Sequence, residues 1–270
     1  TQETITDAEG QQVTRLVPLV ENKPIMQPFG DRSKIVIEPM LTDQWFVDTA
    51  KIVDPALEAV RSDEVNIMPE SDRKVYFHWL ENIEPWCISR QLWWGHRIPA
   101  WYDDAGNIYV GDSEVAVRVK HQLPDTMILR QDDDVLDTWA SSYLWPMANL
   151  GWPKPTAEQQ KELDFWYPTS VLVTGFDIIF FWVARMIMAG YEYRQEFPFK
   201  NVYLTGLVRD KTGRKMSKTL GNSPDPIELI EKYGADGVRV GMLLCSPAGN
   251  DLPFDESLCG SGRKQNTHKI

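Results

Sequence analysis

Two runs of consecutive apolar residues stand out from an otherwise mixed chain. Ser170 to Thr174 reads SVLVT and Asn201 to Thr205 reads NVYLT, and each ends in a glycine, Gly175 and Gly206. Short apolar runs rich in β-branched residues predict strands of a parallel sheet. Between them Phe176 to Tyr191 has almost no polar face, which predicts a buried helix. Strand, helix and strand in this order predict a βαβ unit, so the expected fold class is α/β. Both strands run into glycine-containing loops at their carboxyl ends, the edge at which open α/β sheets bind ligands.

The pattern is weaker elsewhere. Residues 1–34 are polar and loop-like, with Pro18, Pro24, Pro28 and Gly30, and Lys34 to Glu38 (KIVIE) predicts a short strand. Gln44 to Asp63 starts extended and turns helical, with Ile52, Ala56, Leu57 and Val60 on one face. Ser71 to Asn82 predicts a helix capped by Ser71 or Asp72. Ile98 to Val110 predicts a hairpin around the turn Asp103-Asp104-Ala105-Gly106. Gly151 to Asp164, beside Pro146, Pro153 and Pro155, reads as a surface connection. Asp225 to Tyr233, with Pro226 near its start and Gly234 past its end, predicts a helix, and another follows from about Ala235 to Cys245.

Composition narrows the class. With 43 % hydrophobic and 25 % charged residues over 270 positions, the chain has ordinary globular composition, which argues against disorder. A net charge of −11 argues against a uniformly basic nucleic-acid binder. The charge is uneven, however: residues 201–270 carry ten Lys and Arg against eight acids, +2, which leaves −13 for residues 1–200. Cys87, Cys245 and Cys259 are too few and too scattered for a disulfide scaffold, and they predict a reducing compartment. His78, His96, His121 and His268 form no metal-ligand spacing with each other or with the cysteines, so no structural zinc is expected. The most apolar stretch, Ile178 to Ala184, falls far short of the about 20 residues of a membrane span. No signal peptide is visible, and the absence of an initial Met suggests a piece of a longer chain. The 11 tryptophans are unusual. Packing is the general expectation for them, Trp93 and Trp94 included.

The candidate chemistry sits just past the second strand. Leu207 to Lys218 reads LVRDKTGRKMSK, with Arg209, Lys211, Arg214, Lys215 and Lys218 against the single acid Asp210, and with Gly213 for flexibility. A cationic loop at the carboxyl edge of a sheet suits a polyphosphate: lysines act as point charges, and Ser217 adds a hydroxyl donor. By charge alone it is equally a solvated basic loop.

The order of residues adds more. Lys215-Met216-Ser217-Lys218-Thr219 resembles the KMSKS signature of class I aminoacyl-tRNA synthetases, with Thr in place of the final Ser. VTGFDIIFFWVARMIM (Val173 to Met188) and NVYLTGLVRDKTGRKMSK resemble the second half of that family's nucleotide-binding fold. CISRQLWWGHRIPAWY (Cys87 to Tyr102) and DVLDTWASS (Asp134 to Ser142) are similar to its valyl branch, where isoleucyl relatives carry Arg-Tyr-Trp in place of Leu92-Trp93-Trp94. The resemblance covers roughly Val36 to Asn266.

That resemblance implies a fold and a chemistry. The fold would be the second half of a Rossmann-like parallel-sheet nucleotide-binding domain with an α/β connective region. Residues 1–44 would be the exit of the editing insertion, 45–222 the second half of the catalytic domain, and 223–270 the start of the helical stem. Lys215, Ser217 and Lys218 would act on the ATP phosphates, Lys218 contacting ATP directly. Gly175 and Asp177 would approach the adenylate ribose, and the backbone around Gly206 and Val208 would face the adenine. Trp139, Ile178 and Trp182 would shape the valine pocket. ATP enters with Mg2+ as a substrate, and the partners would be L-valine and tRNA(Val). Met26 to Ser33 contains no Cys, so a zinc knuckle there is not expected. The parent enzyme is expected to be a cytoplasmic monomer with no membrane contact. The family's other signature, His-Ile-Gly-His, is absent because no two histidines lie three apart, so this chain by itself is expected to be inactive. Three alternatives remain open: an isoleucyl or leucyl relative, a non-catalytic tryptophan-rich binding module with an exposed aromatic row, and a general nucleotide-binding domain. The last lacks any GxGxxG or GxxxxGK[ST].

Overall fold

A computed structural model describes residues 2–6, 8–16, 18, 21, 23–30, 33–246 and 250–260. The chain divides into two compact units, Thr1–Asp43 and Gln44–Ile270. In the first, the expected loop is instead a hairpin. β1 (Gln2–Thr6) pairs antiparallel with β2 (Gln12–Leu16), Ile5 opposite Val13 and Thr6 opposite Gln12. Thr4, Ile5, Val13 and Thr14 favour extended backbone, Gly10 takes a left-handed φ of 81° in the turn, and the prolines lie beyond the pairing. KIVIE is not a strand: only an isolated bridge joins Val36 to Phe29, and Ile35 and Ile37 are exposed. Without a neighbouring ladder, β propensity alone does not make a strand.

Beside two short antiparallel pairs, Phe46–Val47 with Trp86–Cys87 and Ser89–Arg90 with Val135–Leu136, the second unit runs α1 (Val53–Arg61), β3 (Asn66–Met68), α2 (Glu70–Glu81), β4 (Ala100–Tyr102), β5 (Ile108–Val110), α3 (Glu114–His121), β6 (Arg130–Gln131) and α4 (Trp139–Ser142). It continues through α5 (Trp145–Ala148), α6 (Ala157–Trp166), β7 (Thr169–Gly175), α7 (Arg185–Arg194), β8 (Phe199–Thr205) and β9 (Val208–Arg209). The last elements are α8 (Pro226–Tyr233), α9 (Ala235–Cys245) and β10 (Leu252–Pro253). The expected parallel pairing holds: β7 and β8 run side by side from Thr169↔Phe199 to Gly175↔Thr205. β3 adds a third parallel strand beside β8, through Asn66↔Asn201 and Tyr203↔Met68. It is three residues long and stops at Pro69, too short to leave a periodic pattern. Strand alternation puts Ile67, Leu172, Val202 and Leu204 on one face, all buried against α1, α2 and the segment after β7. Each such side chain contributes about 1.5–3 kcal/mol. The other face leaves Val171, Val173 and Tyr203 exposed.

The expected single helix from Phe176 is really three turns of different width. A 3-10 turn spans Phe176–Ile178, a π turn spans Ile179–Ala184, and α7 follows. Three consecutive aromatics sit on the wide turn and each meets a ring of another segment. Phe180 stacks on Trp79 at 4.9 Å, Phe181 on Trp139 at 6.1 Å, and Trp182 leans on Trp145 at 5.8 Å. Such π turns recur at functional sites.

Other expectations shift at element ends. α2 begins after Pro69, so Ser71 and Asp72 lie inside its first turn and do not cap it. The predicted connection at 151–164 contains α6, opened by a capping box in which Thr156 and Gln159 bond reciprocally. The β4–β5 hairpin forms as expected and gains β6 on its outer edge. α8 and α9 match their predicted ranges and pack with Phe254 and Cys259 in a cluster of their own. Residues 261–270, with the departure at Lys264 to His268, lie outside the described residues. Among the described residues no helix is long and apolar enough to cross a membrane.

Candidate functional site

The parallel register brings both glycine loops to the same edge of the sheet, since Gly175 sits opposite Thr205 and Gly206 is the next residue. Gly206 is required by close approach: a Cβ there would lie 1.9 Å from the Asn250 carbonyl oxygen. That crossing lets β9 pair with β10 in parallel, Val208 opposite Leu252. Asp251 secures the crossing by accepting from the Leu207 backbone N–H at 3.0 Å and pairing with Arg209.

From β9 the cationic loop folds back on itself. Arg209 bridges to Lys215, and the Met216 N–H donates to the Val208 carbonyl at 3.1 Å. Gly213 supplies the left-handed turn at φ 82°. Asp210, the loop's single acid, organises it. Its carboxylate accepts from Thr212 N–H and hydroxyl, Arg214 N–H and guanidinium, and the Asn222 amide. The bonds from Thr212 first, and from Asn222 next, hold its carboxyl far below the usual carboxylate range. Asn222 in turn accepts from the Ser217 N–H at 2.8 Å, and the Ser217 hydroxyl accepts from Thr219 N–H at 3.2 Å.

Four of the five loop cations are matched with acids. Arg209 pairs with Asp251, Lys211 with Asp255 at 3.2 Å, Arg214 with Asp210, and Lys215 with Asp177 at 2.7 Å. Lys218 is exposed and has no acidic partner among the described residues. The loop is therefore not a freely solvated basic segment, and it reaches back across the sheet edge to the turn after β7.

That turn has a second side. Ile178, the residue after Asp177, lines a cavity of about 310 Å³ with Trp139, Trp182, Ser142 and Trp145. The Trp182 indole N–H donates to the Ser142 carbonyl at 3.0 Å. The three pocket residues named from sequence thus meet in one cavity. Ser142 and Trp145 were missed, because they enter through α4 and α5, whose four-residue lengths leave no periodic signal. Trp93 and Trp94, expected to pack, are instead almost fully exposed. The exposed sheet face offers Tyr203 as its one exposed aromatic among the described residues, not the aromatic row of a tryptophan-rich binding module. Among the described residues no group of three or more His, Cys, Asp or Glu is gathered as a metal site.

Comparison with known proteins follows the same line. The model of the family described as tRNA synthetases class I (I, L, M and V) matches residues 4–255. A valine-tRNA ligase of Parabacteroides distasonis is 55 % identical over 245 residues, covering 88 % of this chain and 28 % of that protein. One of Bacteroides fragilis is 57 % identical over 242 residues, 87 % of this chain and 27 % of its own length. The chain thus spans little more than a quarter of these relatives. Among solved structures, Mycobacterium tuberculosis methionyl-tRNA synthetase in complex with methionyl-adenylate shares the fold, with a TM-score of 0.59 at 22 % identity over 86 % of this chain and 39 % of that one. The LeuRS ternary complex of Agrobacterium radiobacter K84 does so with a TM-score of 0.54 at 20 % identity, over 68 % of this chain and 27 % of that one.

Proposed function

The chain belongs to the class I tRNA synthetases (I, L, M and V), and from that membership we propose that it carries the phosphate loop and the amino-acid pocket of a valine-tRNA ligase. The reaction is attack of the valine carboxylate on the α-phosphorus of ATP. A carboxylate oxygen–phosphorus bond forms, the bond to pyrophosphate breaks, and valyl-adenylate results. A terminal ribose hydroxyl of tRNA(Val) then takes the valyl group, and AMP leaves. The nucleophile of the first step is already an anion, so no side-chain base is needed. Catalysis consists of positioning and neutralisation of phosphate charge.

The observation that carries this reading is the pairing of Lys215 with Asp177 next to Ile178 of the tryptophan cavity. One turn serves two neighbouring sites. Asp177, with Gly175, faces the ribose, while Ile178 and Trp182, with Trp139, receive the valine side chain. Lys215, Ser217 and Lys218 stabilise the departing pyrophosphate, and the backbone at Gly206 and Val208 lies along the adenine. Mg2+ comes with the triphosphate, whose oxygens are its ligands. An apolar pocket bounded by tryptophans rejects isoleucine by size and rejects isosteric threonine poorly, which is why such an enzyme needs an editing site.

In the longer enzyme, residues 1–44 are the exit of the editing insertion, 45–222 the second half of the catalytic domain with its connective region, and 223–270 the start of the helical stem. The whole enzyme is a cytoplasmic monomer. Amino-acid-dependent ATP–pyrophosphate exchange tests the assignment. The complete synthetase should exchange with valine and not with leucine, and isoleucine should be weak. Preference for isoleucine or leucine would move the chain to a sister branch. The 270-residue chain alone, lacking His-Ile-Gly-His, should not exchange.

A further inference from the structure

Both pocket tryptophans hang on α4. Trp139 opens this helix, and the Trp182 indole donates to its last carbonyl, that of Ser142, at 3.0 Å. A helix of four residues has no stability of its own, so something outside it must hold it. Asp137 does so. It is 8 % exposed, and its Oδ1 accepts from the Trp139 backbone N–H at 3.0 Å. Its Oδ2 accepts from Trp86 Nε1 at 3.1 Å and from the Arg90 guanidinium at 2.7 Å. A carboxylate buried to this extent is costly unless its oxygens are bonded, and here both are.

The same carboxylate reaches the far side of the Trp139 ring. The Arg185 guanidinium lies 3.6 Å from the Trp86 ring centre and 5.7 Å from that of Phe181. Phe181 stacks on Trp139. Burial pulls the Arg185 pKa down to about 10, partly offset by the nearby Asp137 charge. A closed circuit therefore runs from Asp137 through Trp139, Phe181, Arg185 and Trp86 back to Asp137. Neither Asp137 nor Trp86, Arg90 or Arg185 lines the cavity.

We propose that Asp137 is the positioning residue of the amino-acid pocket: its Oδ1 fixes the first turn of α4, and through it the Trp139 and Trp182 walls that set which side chain fits. The inference rests on the reading of this cavity as the valine pocket. Two conservative variants separate its parts. Asp137→Asn keeps an oxygen for the Trp139 N–H and loses the charge. Asp137→Glu keeps the charge for Arg90 and Arg185, but its longer arm does not close the two-residue turn onto Trp139. The measurement is exchange kinetics of the complete synthetase with valine and isoleucine. Asp137→Glu should raise the KM for valine by about tenfold, narrow the valine-to-isoleucine preference, and leave the KM for ATP within about twofold. Asp137→Asn keeps the Trp139 bond but turns an amide donor toward Trp86 and Arg90, so it should raise the valine KM clearly less than Asp137→Glu does. Wild-type valine KM in Asp137→Glu, equal damage from both variants, or a parallel rise of the ATP KM would overturn the proposal. A wild-type enzyme that does not exchange with valine removes the pocket reading itself, a separate outcome.

Discussion

Lys215 donates to the Asp177 carboxylate at 2.7 Å, with both side chains substantially exposed, 58 % and 32 %. Exposed pairs of this kind contribute about 0–1 kcal/mol, so this one is easily exchanged for ligand contacts. Under the proposed assignment, bound nucleotide would supply replacements on both sides, ribose hydroxyls for Asp177 and phosphate for Lys215. On that assignment the pair would mark where ribose and phosphate come together; in the structure it divides the loop lysines into one already engaged and one, Lys218, without an acidic partner among the described residues.

That division predicts different kinetics. In the complete synthetase Lys218→Ala should lower kcat for exchange by about 10²–10³, the range for removing one donor aimed at developing charge. Asp177→Ala should act mainly on the KM for ATP. Steady-state exchange at varied ATP checks both, and a Lys218→Ala enzyme with wild-type kcat would refute the role.

Gly206→Ala should be disproportionately damaging for so small a change. The added methyl meets the Asn250 backbone carbonyl at 1.9 Å, with no flexible side chain to give way, so the β8–β9 crossing must open. A loss of about 1–3 kcal/mol is expected for overpacking of this kind, read as a lowered thermal midpoint together with a raised KM for ATP.

Asp210 sets the acid tolerance of the loop. Its folded pKa lies below the ordinary value of 3.8. The stabilisation it contributes is therefore complete above about pH 4 and is lost as pH falls through the depressed value. Trypsin cleavage within 209–218 should hence be unchanged between neutral pH and about pH 5 after correction for trypsin's own profile. Asp210→Asn should be cut severalfold faster at neutral pH, because it loses acceptor capacity for Thr212 and Arg214.

Trp182→Leu should admit isoleucine. Removing an indole from the cavity deletes its size limit, and the bond to Ser142 with it. The valine-to-isoleucine ratio in exchange should fall by about 10–200-fold, the discrimination that one methylene provides in an apolar pocket. An unchanged ratio would mean that another wall makes the selection.

Much of this was legible from residue order. β7 and β8 announced themselves as continuous apolar runs, and the loop after β8 by its cations. What was not legible depends on contacts between distant segments. β3 is defined by its neighbour β8, and Ser142 and Trp145 reach the cavity through helices of one turn. The β1–β2 hairpin was hidden behind prolines that follow it. Trp93 and Trp94 are exposed despite a composition that predicts burial. The pairing of Lys215 with Asp177, 38 residues apart in sequence, needs both the parallel register, which brings the two turns to one edge, and the fold-back of the loop onto Val208, and no local pattern announces it.

The most direct test is a crystal structure of the complete synthetase with a non-hydrolysable valyl-adenylate analogue. The ribose hydroxyls should lie within hydrogen-bond reach of Asp177, and Lys215 should have left that carboxylate. The isopropyl group should sit among Trp139, Ile178 and Trp182. An analogue bound elsewhere, or one bound with the Lys215–Asp177 pair intact and the tryptophan cavity empty, would contradict the account.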